Sequence, residues 1–228
     1  MALWLEELSG VLSAPGNAAL VNTMQGHMRL VSRKSRKSAV LMCFTGDAHA
    51  ADLPGDAQIL LTHRAPTLRN HSGQMAFPGG RLEPEDGGPV DAALREANEE
   101  TGLDPARVQT LAVLEPIGVG PSGHPVNPVL AYAENPGDVW CASPEENDDV
   151  FFVDLAQLID PANRFRVTRL GWSGPAFDVN GYLVWGFTAS LLAVMIREAG
   201  WEESWEHKEP VDLRKALHAS RNGEGHGV

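Results

Sequence analysis

Three glutamates within five positions are the residues of this chain best suited to chemistry. They are Glu96, Glu99 and Glu100, in a segment that ends at Gly102. On a helix, at about 100° per residue, the three carboxylates share one sector of roughly 100°. Such a cluster is typical of a solvated acidic face. Because it contains oxygen ligands and no His or Cys, it also suits a hard cation such as Mg²⁺ or Mn²⁺.

Two neighbouring features favour the metal interpretation over the solvated face. Arg95 directly adjoins the glutamates, and the helix is preceded by the turn Phe77-Pro78-Gly79-Gly80. The glycines of this turn permit close approach of the backbone to a ligand. A bound cation would also relieve the repulsion between the carboxylates. The acidic cluster is therefore predicted to hold metal.

The elements that must position this cluster follow from hydrophobic patterning. The helical pattern covers residues 90–102, and its apolar side (Val90, Leu94 and Ala97) is expected to pack on a sheet. A last helix is predicted over 186–199. The apolar runs predict strands over 39–44, 58–62, 108–114, 126–133, 150–153 and 177–185. Mixed strands with two separated helices predict a layered α/β or α+β domain.

Composition limits the partners and the setting. The chain has 228 residues and a net charge of −12, which gives no general attraction to nucleic acid or to an anionic membrane. No apolar stretch is long enough to span a bilayer, and the first residues carry acids where a signal peptide carries bases. Cys43 and Cys141 are too few for a disulfide scaffold. We expect a soluble cytoplasmic protein with a small-molecule substrate. The sequence is compatible with a homodimer.

Residues 80–103 resemble the signature of the Nudix hydrolases. That signature is a glycine, a spaced acid and then R-E-x-x-E-E-x-G, and the core from Arg95 to Gly102 is intact here. The acid six places after Gly80 is Asp86 rather than Glu, and the gap from there to Arg95 is one residue longer than in the strict form. Glu83 and Glu85 compete with Asp86 for its role.

The segment before the signature narrows the resemblance to a subfamily. Residues 60–80 are similar to the additional motif of the coenzyme A pyrophosphatases, L-L-T-x-R-x-x-x-x-R-x-x-x-G-x-x-x-F-P-G-G. Residues 181–189 are similar to the strand-to-helix ending of the same subfamily. The odd spacing and the aspartate are also features of that subfamily. The resemblance covers roughly residues 38–199.

The resemblance implies a fold and a division of the chain. The fold is the Nudix α/β/α sandwich with a mixed sheet, and residues 38–200 form the Nudix hydrolase domain. Residues 1–37 are expected to be a partly helical N-terminal extension. Residues 201–228 are expected to be a C-terminal tail that frays from about Ala219.

The resemblance also implies an activity. This is the metal-dependent hydrolysis of the diphosphate in coenzyme A, or in its acyl or oxidised forms, to 3′,5′-ADP and a 4′-phosphopantetheine species. One alternative is a Nudix hydrolase of another nucleoside diphosphate derivative, such as ADP-ribose. A second alternative is a non-catalytic Nudix module that senses a nucleotide. The presence of all three glutamates disfavours this second alternative.

The metal and the reacting water would be held by residues of the signature. The implied metal ligands are Glu96, Glu99, Glu100 and the carbonyl of Gly79, and Gly80 is expected to contact the substrate. Glu96 is the first candidate to take the proton of the attacking water. Glu146, in the loop before the strand at 150–153, is the second, and a solvated loop acid explains it equally well.

Four arginines are candidates for roles around the substrate. Arg95 is expected to pair with a neighbouring glutamate and fix its orientation. Arg64 and Arg69, in the subfamily motif, are candidates for bidentate contacts to phosphates, and Arg81 after the glycine turn is a third.

Overall fold

The computed structural model describes residues 2–14, 37–119, 123–205 and 208–224. Most of the predicted N-terminal extension, residues 15–36, and the last four residues of the predicted tail lie outside these ranges. The described helices, numbered in chain order, are α1 (Glu6–Ser13), α2 (Pro89–Thr101), α3 (Leu155–Ile159), α4 (Gly186–Glu198) and α5 (Leu213–Ala219).

The described strands form two sheets. In chain order they are β1 (Ser38–Thr45), β2 (Gln58–Arg64), β3 (Met75–Ala76), β4 (Gly79–Arg81), β5 (Gln109–Val113), β6 (Ile117–Val119), β7 (His124–Tyr132), β8 (Asn147–Asp154), β9 (Arg164–Arg169), β10 (Trp172–Val179), β11 (Tyr182–Val184) and β12 (Val211–Asp212). The described residues also form three short 3₁₀ turns, Leu3–Leu5 before α1, Pro105–Arg107 before β5 and Pro161–Asn163 before β9.

The main sheet is mixed, as predicted. Its strands follow the order β3-β2-β1-β7-β5, with β4 paired to β1, β6 to β7 and β8 to β2. Strands β1 and β7 run parallel, from the pair Ser38 and Val126 to the pair Phe44 and Tyr132. The other pairings of this sheet are antiparallel.

Helices cover both faces of the main sheet. Successive side chains of a strand point to opposite faces, so β1 contributes to two cores. Leu41 and Cys43 pack with the apolar residues of α2, whereas Met42 and Phe44 pack with those of α1 and α4. The predicted α/β/α sandwich is confirmed, and the N-terminal residues belong to its core, because Leu8 is buried.

A second, smaller sheet was not predicted. It has the order β11-β10-β9-β12, and α5 packs against it. The single strand predicted over 177–185 is two strands, since Asn180 and Gly181 adopt positive φ angles and form a tight turn between β10 and β11. The tail that was expected to fray from Ala219 is held in place at Asn222, which is fully buried.

Helix α2 begins and ends as its sequence predicts. Pro89 occupies the first turn, and Gly102 adopts the left-handed conformation that terminates many helices. Its face against the sheet consists of small residues, Ala92, Ala93 and Ala97, which bring the helix axis close to β1 and β4. Residues 64–89, predicted as loop, contain the short strands β3 and β4, of which β4 lies against this helix.

No helix in the described ranges is long and apolar enough to cross a membrane.

Candidate active site

The three glutamates of α2 differ strongly in exposure. The side chain of Glu99 is 54% exposed, that of Glu96 is 17% exposed and that of Glu100 is 3% exposed. The shared solvated face expected from helical spacing therefore describes only Glu99. Strand β4 lies against the helix on this side and covers the other two carboxylates.

The two glycines of β4 allow this close contact. The backbone N–H of Gly79 donates to Oε2 of Glu100 over 3.1 Å. At Gly80, a Cβ atom would lie 2.3 Å from Oε1 of Glu96, so any side chain there would displace that carboxylate. Only a glycine at position 80 leaves the space that the Glu96 carboxylate occupies.

Arg95 links the helix to the segment before it. Its Nε and Nη2 atoms donate to the two oxygens of Asp86, both over 3.1 Å. Its Nη1 atom lies 3.1 Å from Oε2 of Glu99 and 3.2 Å from Oε1 of Glu96. Nη2 also donates to the carbonyl of Arg81 over 3.0 Å. The expected pairing of Arg95 with a neighbouring glutamate is present, and a bidentate contact to Asp86 anchors it.

Asp86, and neither Glu83 nor Glu85, is the acid before α2 that contacts Arg95. Glu83 and Glu85 are exposed, and neither makes a side-chain hydrogen bond or ion pair with the described residues. Asp86 faces the guanidinium of Arg95, which lowers the pKa of the Asp86 carboxyl and raises that of Arg95. The aspartate at the irregular position of the signature thus orients the arginine that contacts two of the glutamates.

The surroundings of Glu100 make its charged form unfavourable. Burial raises the pKa of this carboxyl to about 7. The Gly79 N–H and the guanidinium of Arg64, whose Nη1 lies 3.9 Å from Oε1 of Glu100, act in the opposite direction. Burial also raises the pKa of Glu96, and Arg95 lowers it. A cation next to these two carboxylates would stabilise their charged forms.

The loop formed by residues 140–147 docks on the C-terminal end of α2. Three carbonyls of the last helical turn accept hydrogen bonds from the N–H of Trp140 (3.0 Å), the N–H of Ala142 (3.0 Å) and the hydroxyl of Ser143 (2.9 Å). These carbonyls have no partner within the helix. The same loop carries Glu146, which is exposed and whose charge contributes to the raised pKa of Glu96. The two candidates for the proton-accepting group therefore lie near each other.

The structure places the three phosphate-binding candidates differently. Arg64, with a side chain 25% exposed, ends β2 beside Glu100. Arg69 is exposed in the segment 65–74, and its side chain makes no hydrogen bond or ion pair with the described part of the chain. Arg81 is exposed at the end of β4. Arg64 is the one of the three that contacts the acidic cluster.

Sequence reasoning missed one polar residue of this site, Asn147. It is fully buried at the start of β8, and its side-chain amide lies close enough to lower the pKa of Glu100. An asparagine next to Glu146 gives no signal in the sequence. Only its pairing with Arg64 across the sheet reveals it.

The donor set fits a hard divalent cation. The carboxylates of Glu96, Glu99 and Glu100 and the backbone of Gly79 offer only oxygen ligands, which Mg²⁺ and Mn²⁺ prefer. In the described residues, no three acidic, His or Cys side chains are already grouped around one point. Glu96 and Glu99 both contact Arg95 in this structure.

Comparison with known proteins identifies the family. The model of the NUDIX domain family matches residues 23–170, more than half of the chain, and this range includes α2 and the glycine turn. The chain belongs to the Nudix family. The segment from Arg95 to Gly102, which resembles the Nudix signature, forms the last two turns of α2 and its C-cap.

Two relatives illustrate this membership. The uncharacterised Nudix hydrolase NudL of Salmonella paratyphi B is 37% identical over 147 residues, which cover 62% of this chain and 75% of NudL. The crystal structure of the Nudix hydrolase RenU from M. smegmatis gives a TM-score of 0.51 at 18% identity, and the match covers 74% of this chain and 88% of RenU. The likeness to RenU concerns the fold alone.

Proposed function

We propose that this Nudix hydrolase cleaves the diphosphate of coenzyme A, or of its acyl or oxidised derivatives, with Mg²⁺ or Mn²⁺. The products are 3′,5′-ADP and a 4′-phosphopantetheine species. One observation carries the proposal. The segment 60–80, which resembles the coenzyme A pyrophosphatase motif, contains most of β2, then β3 and the start of β4; β4 lies against α2, and Arg64 at the end of β2 lies 3.9 Å from Glu100.

The glutamates of α2 and the Gly79 carbonyl would hold the metal. When bound, a divalent cation neutralises charge on the diphosphate and lowers the pKa of an attacking water. Glu96, whose carboxylate lies against Gly80, is the first candidate to accept the proton of that water. Glu146 is the second candidate. Arg95, fixed by Asp86, holds Glu96 and Glu99 in orientation.

Arginines supply the cationic contacts to the substrate. The chain has a net charge of −12 and does not attract a polyanion in general, so recognition of phosphates needs cations at fixed positions. Arg64 lies where it can contact the scissile diphosphate. Arg69 is free to contact the 3′-phosphate that distinguishes coenzyme A from ADP-ribose, and Arg81 is a further candidate for the diphosphate.

The proposed substrate is a small molecule of the cytoplasm. The two cysteines are free, and a reducing compartment keeps thiols in that form. Neither nucleic acid nor membrane is needed as a partner.

The proposal is tested by comparing kcat/KM for coenzyme A, dephospho-coenzyme A and ADP-ribose, each with Mg²⁺ and with Mn²⁺. We expect coenzyme A to exceed ADP-ribose by about tenfold or more, the effect of one charge-assisted contact. A higher kcat/KM for ADP-ribose than for coenzyme A would identify ADP-ribose as the better substrate and contradict the proposal. Binding of these compounds without turnover would support a nucleotide-sensing module instead.

A further inference from the structure

An irregularity in the main sheet brings Arg64 and Asn147 together. Along β2 and β8 the pairing is regular up to His63, which lies opposite Asp149. Arg64 then pairs with Asn147, so that Asp148 has no partner across the sheet. Such a bulge redirects side chains at the end of a strand pair, and directly opposed residues place their side chains on one face. Arg64 and Asn147 are thus direct cross-strand neighbours.

Both side chains carry buried polar atoms without a partner. Asn147 is 0% exposed, and neither its Oδ1 nor its Nδ2 has a hydrogen-bond partner in good geometry among the described residues, although the amide lies close enough to Glu100 to lower the pKa of that carboxyl. The buried Nε of Arg64 also lacks a partner in the described ranges. Buried polar atoms in folded proteins are nearly always hydrogen-bonded, and an unsatisfied amide costs free energy. Orphan atoms on two facing side chains indicate a ligand.

The chemistry of the orphan atoms identifies the kind of ligand. The guanidinium of Arg64 can only donate, and Nδ2 of Asn147 can only donate. Two adjacent donors suit an oxygen that carries negative charge. The nearest acid of the protein is Glu100, one of whose oxygens already accepts the N–H of Gly79 and whose other oxygen is 3.9 Å from Arg64 Nη1. Because Glu100 gives neither Nε of Arg64 nor Nδ2 of Asn147 a well-aligned hydrogen bond in this geometry, an oxygen of a bound molecule is the candidate to satisfy both donors.

We propose that Asn147 is a substrate-binding residue, whose Nδ2 donates together with Nε of Arg64 to one nonbridging oxygen of the bound diphosphate. This assignment rests on the proposed function only in that the ligand is a diphosphate. It does not depend on the group attached to either phosphate. Glu100, beside both donors, places this oxygen next to the acidic cluster.

The test compares Asn147→Leu with a matched control, Asn127→Leu. Asn127 is also a buried strand asparagine, but its Nδ2 is satisfied by the carbonyl of Leu114 over 3.1 Å. Binding of methylenediphosphonate, which cannot be hydrolysed at its bridge, is measured by calorimetry with Mg²⁺. The free energy of unfolding is measured without ligand or metal. Turnover is not needed for either measurement.

We expect Asn147→Leu to weaken methylenediphosphonate binding by roughly ten- to a hundredfold, the effect of a hydrogen bond to a charged group. Its stability should be unchanged or higher, because an unsatisfied amide is removed. Asn127→Leu should show the reverse, with lower stability and unchanged binding. If Asn147→Leu does not fold, Asn147→Ala gives the same binding comparison.

Three results would overturn the proposal. They are wild-type binding by the Asn147 variant, a stability loss in it as large as that of Asn127→Leu, and no binding of the diphosphonate to the wild-type protein. If coenzyme A is not the substrate, a separate turnover assay would leave coenzyme A intact. The two outcomes are therefore distinguishable.

Discussion

At the scale of single residues, Arg64 and Arg69 share one motif but have different surroundings. Arg64 is partly buried beside Glu100, and Arg69 is exposed without a partner among the described residues. The sequence motif treats them alike, as two candidates for binding phosphate. We therefore propose separate roles, with Arg64 on the scissile diphosphate and Arg69 on the 3′-phosphate.

This difference predicts different substrate dependence for two alanine variants. Arg64→Ala should lower kcat/KM by roughly ten- to a hundredfold on both coenzyme A and dephospho-coenzyme A, since both contain the diphosphate. Arg69→Ala should cause a loss of similar size on coenzyme A only. The measurement is kcat/KM for both variants on both substrates. Equal losses for Arg69→Ala would place it on the diphosphate, and no loss would make it a surface charge.

Glu100 predicts a pH dependence of stability in the metal-free protein. Burial raises its pKa from 4.5 to about 7, so the folded state retains a proton that the unfolded state has lost. The stability contributed by this group is present below about pH 4.5 and is lost as pH rises to about 7. Gln at position 100 has no proton to lose. The free energy of unfolding of Glu100→Gln should therefore rise relative to that of the wild type as the pH increases over this range.

The measurement is chemical denaturation at several pH values in excess chelator, for the wild type and for Glu100→Gln. Glu99→Gln is the matched control, because it makes the same substitution at a side chain that is 54% exposed. A stability difference between Glu100→Gln and the wild type that does not change with pH would contradict the burial of this charge.

At the scale of elements, the C-terminal segment holds the loop that carries Arg69. Asn222 accepts from the N–H of Leu183 over 2.7 Å and donates to its carbonyl over 3.0 Å. Its own carbonyl lies 3.1 Å from Nε2 of His63. At Gly73, a Cβ atom would lie 2.3 Å from that carbonyl, so the segment lies directly on residues 65–74.

Asn222→Ala should therefore loosen residues 65–74 as well as the tail. It leaves the N–H and the carbonyl of Leu183 without partners, at a cost of about 2 kcal/mol or more. We expect lower stability and faster hydrogen exchange at the backbone amide of Gly73, which donates to the carbonyl of Arg64. Asn135→Ala is the control, since Asn135 is exposed. Unchanged exchange in residues 65–74 would show that the tail does not support this loop.

The sequence predicts the elements that have strong patterns of their own. The ends of α2 follow from Pro89 and Gly102, and β1, β2 and β7 follow from continuous apolar runs. The exposure of Glu100 could not be predicted, because helical spacing does not show that β4 covers that side of the helix. The burial of Asn222 could not be predicted either. Its partners are distant in the chain, and its neighbours resemble a flexible tail.

At the scale of the whole molecule, the sandwich places all parts of the site along one edge of α2. The glycine turn of β4 lies on one side, the end of β2 supplies Arg64, and the 140–147 loop closes the C-terminal end of the helix. The net charge of −12 gives the chain no general attraction for a polyanion. Substrate binding should therefore depend on these fixed cations and on metal.

The most direct test of the central claim is the identification by mass of the products formed from coenzyme A. With Mg²⁺ or Mn²⁺, the wild-type protein should give 3′,5′-ADP and 4′-phosphopantetheine. Glu99→Gln should give little of either, because one charged oxygen ligand is lost while the buried face of α2 is unchanged. Excess chelator should abolish the reaction. Intact coenzyme A under conditions in which ADP-ribose is cleaved, or full activity in chelator, would contradict the account.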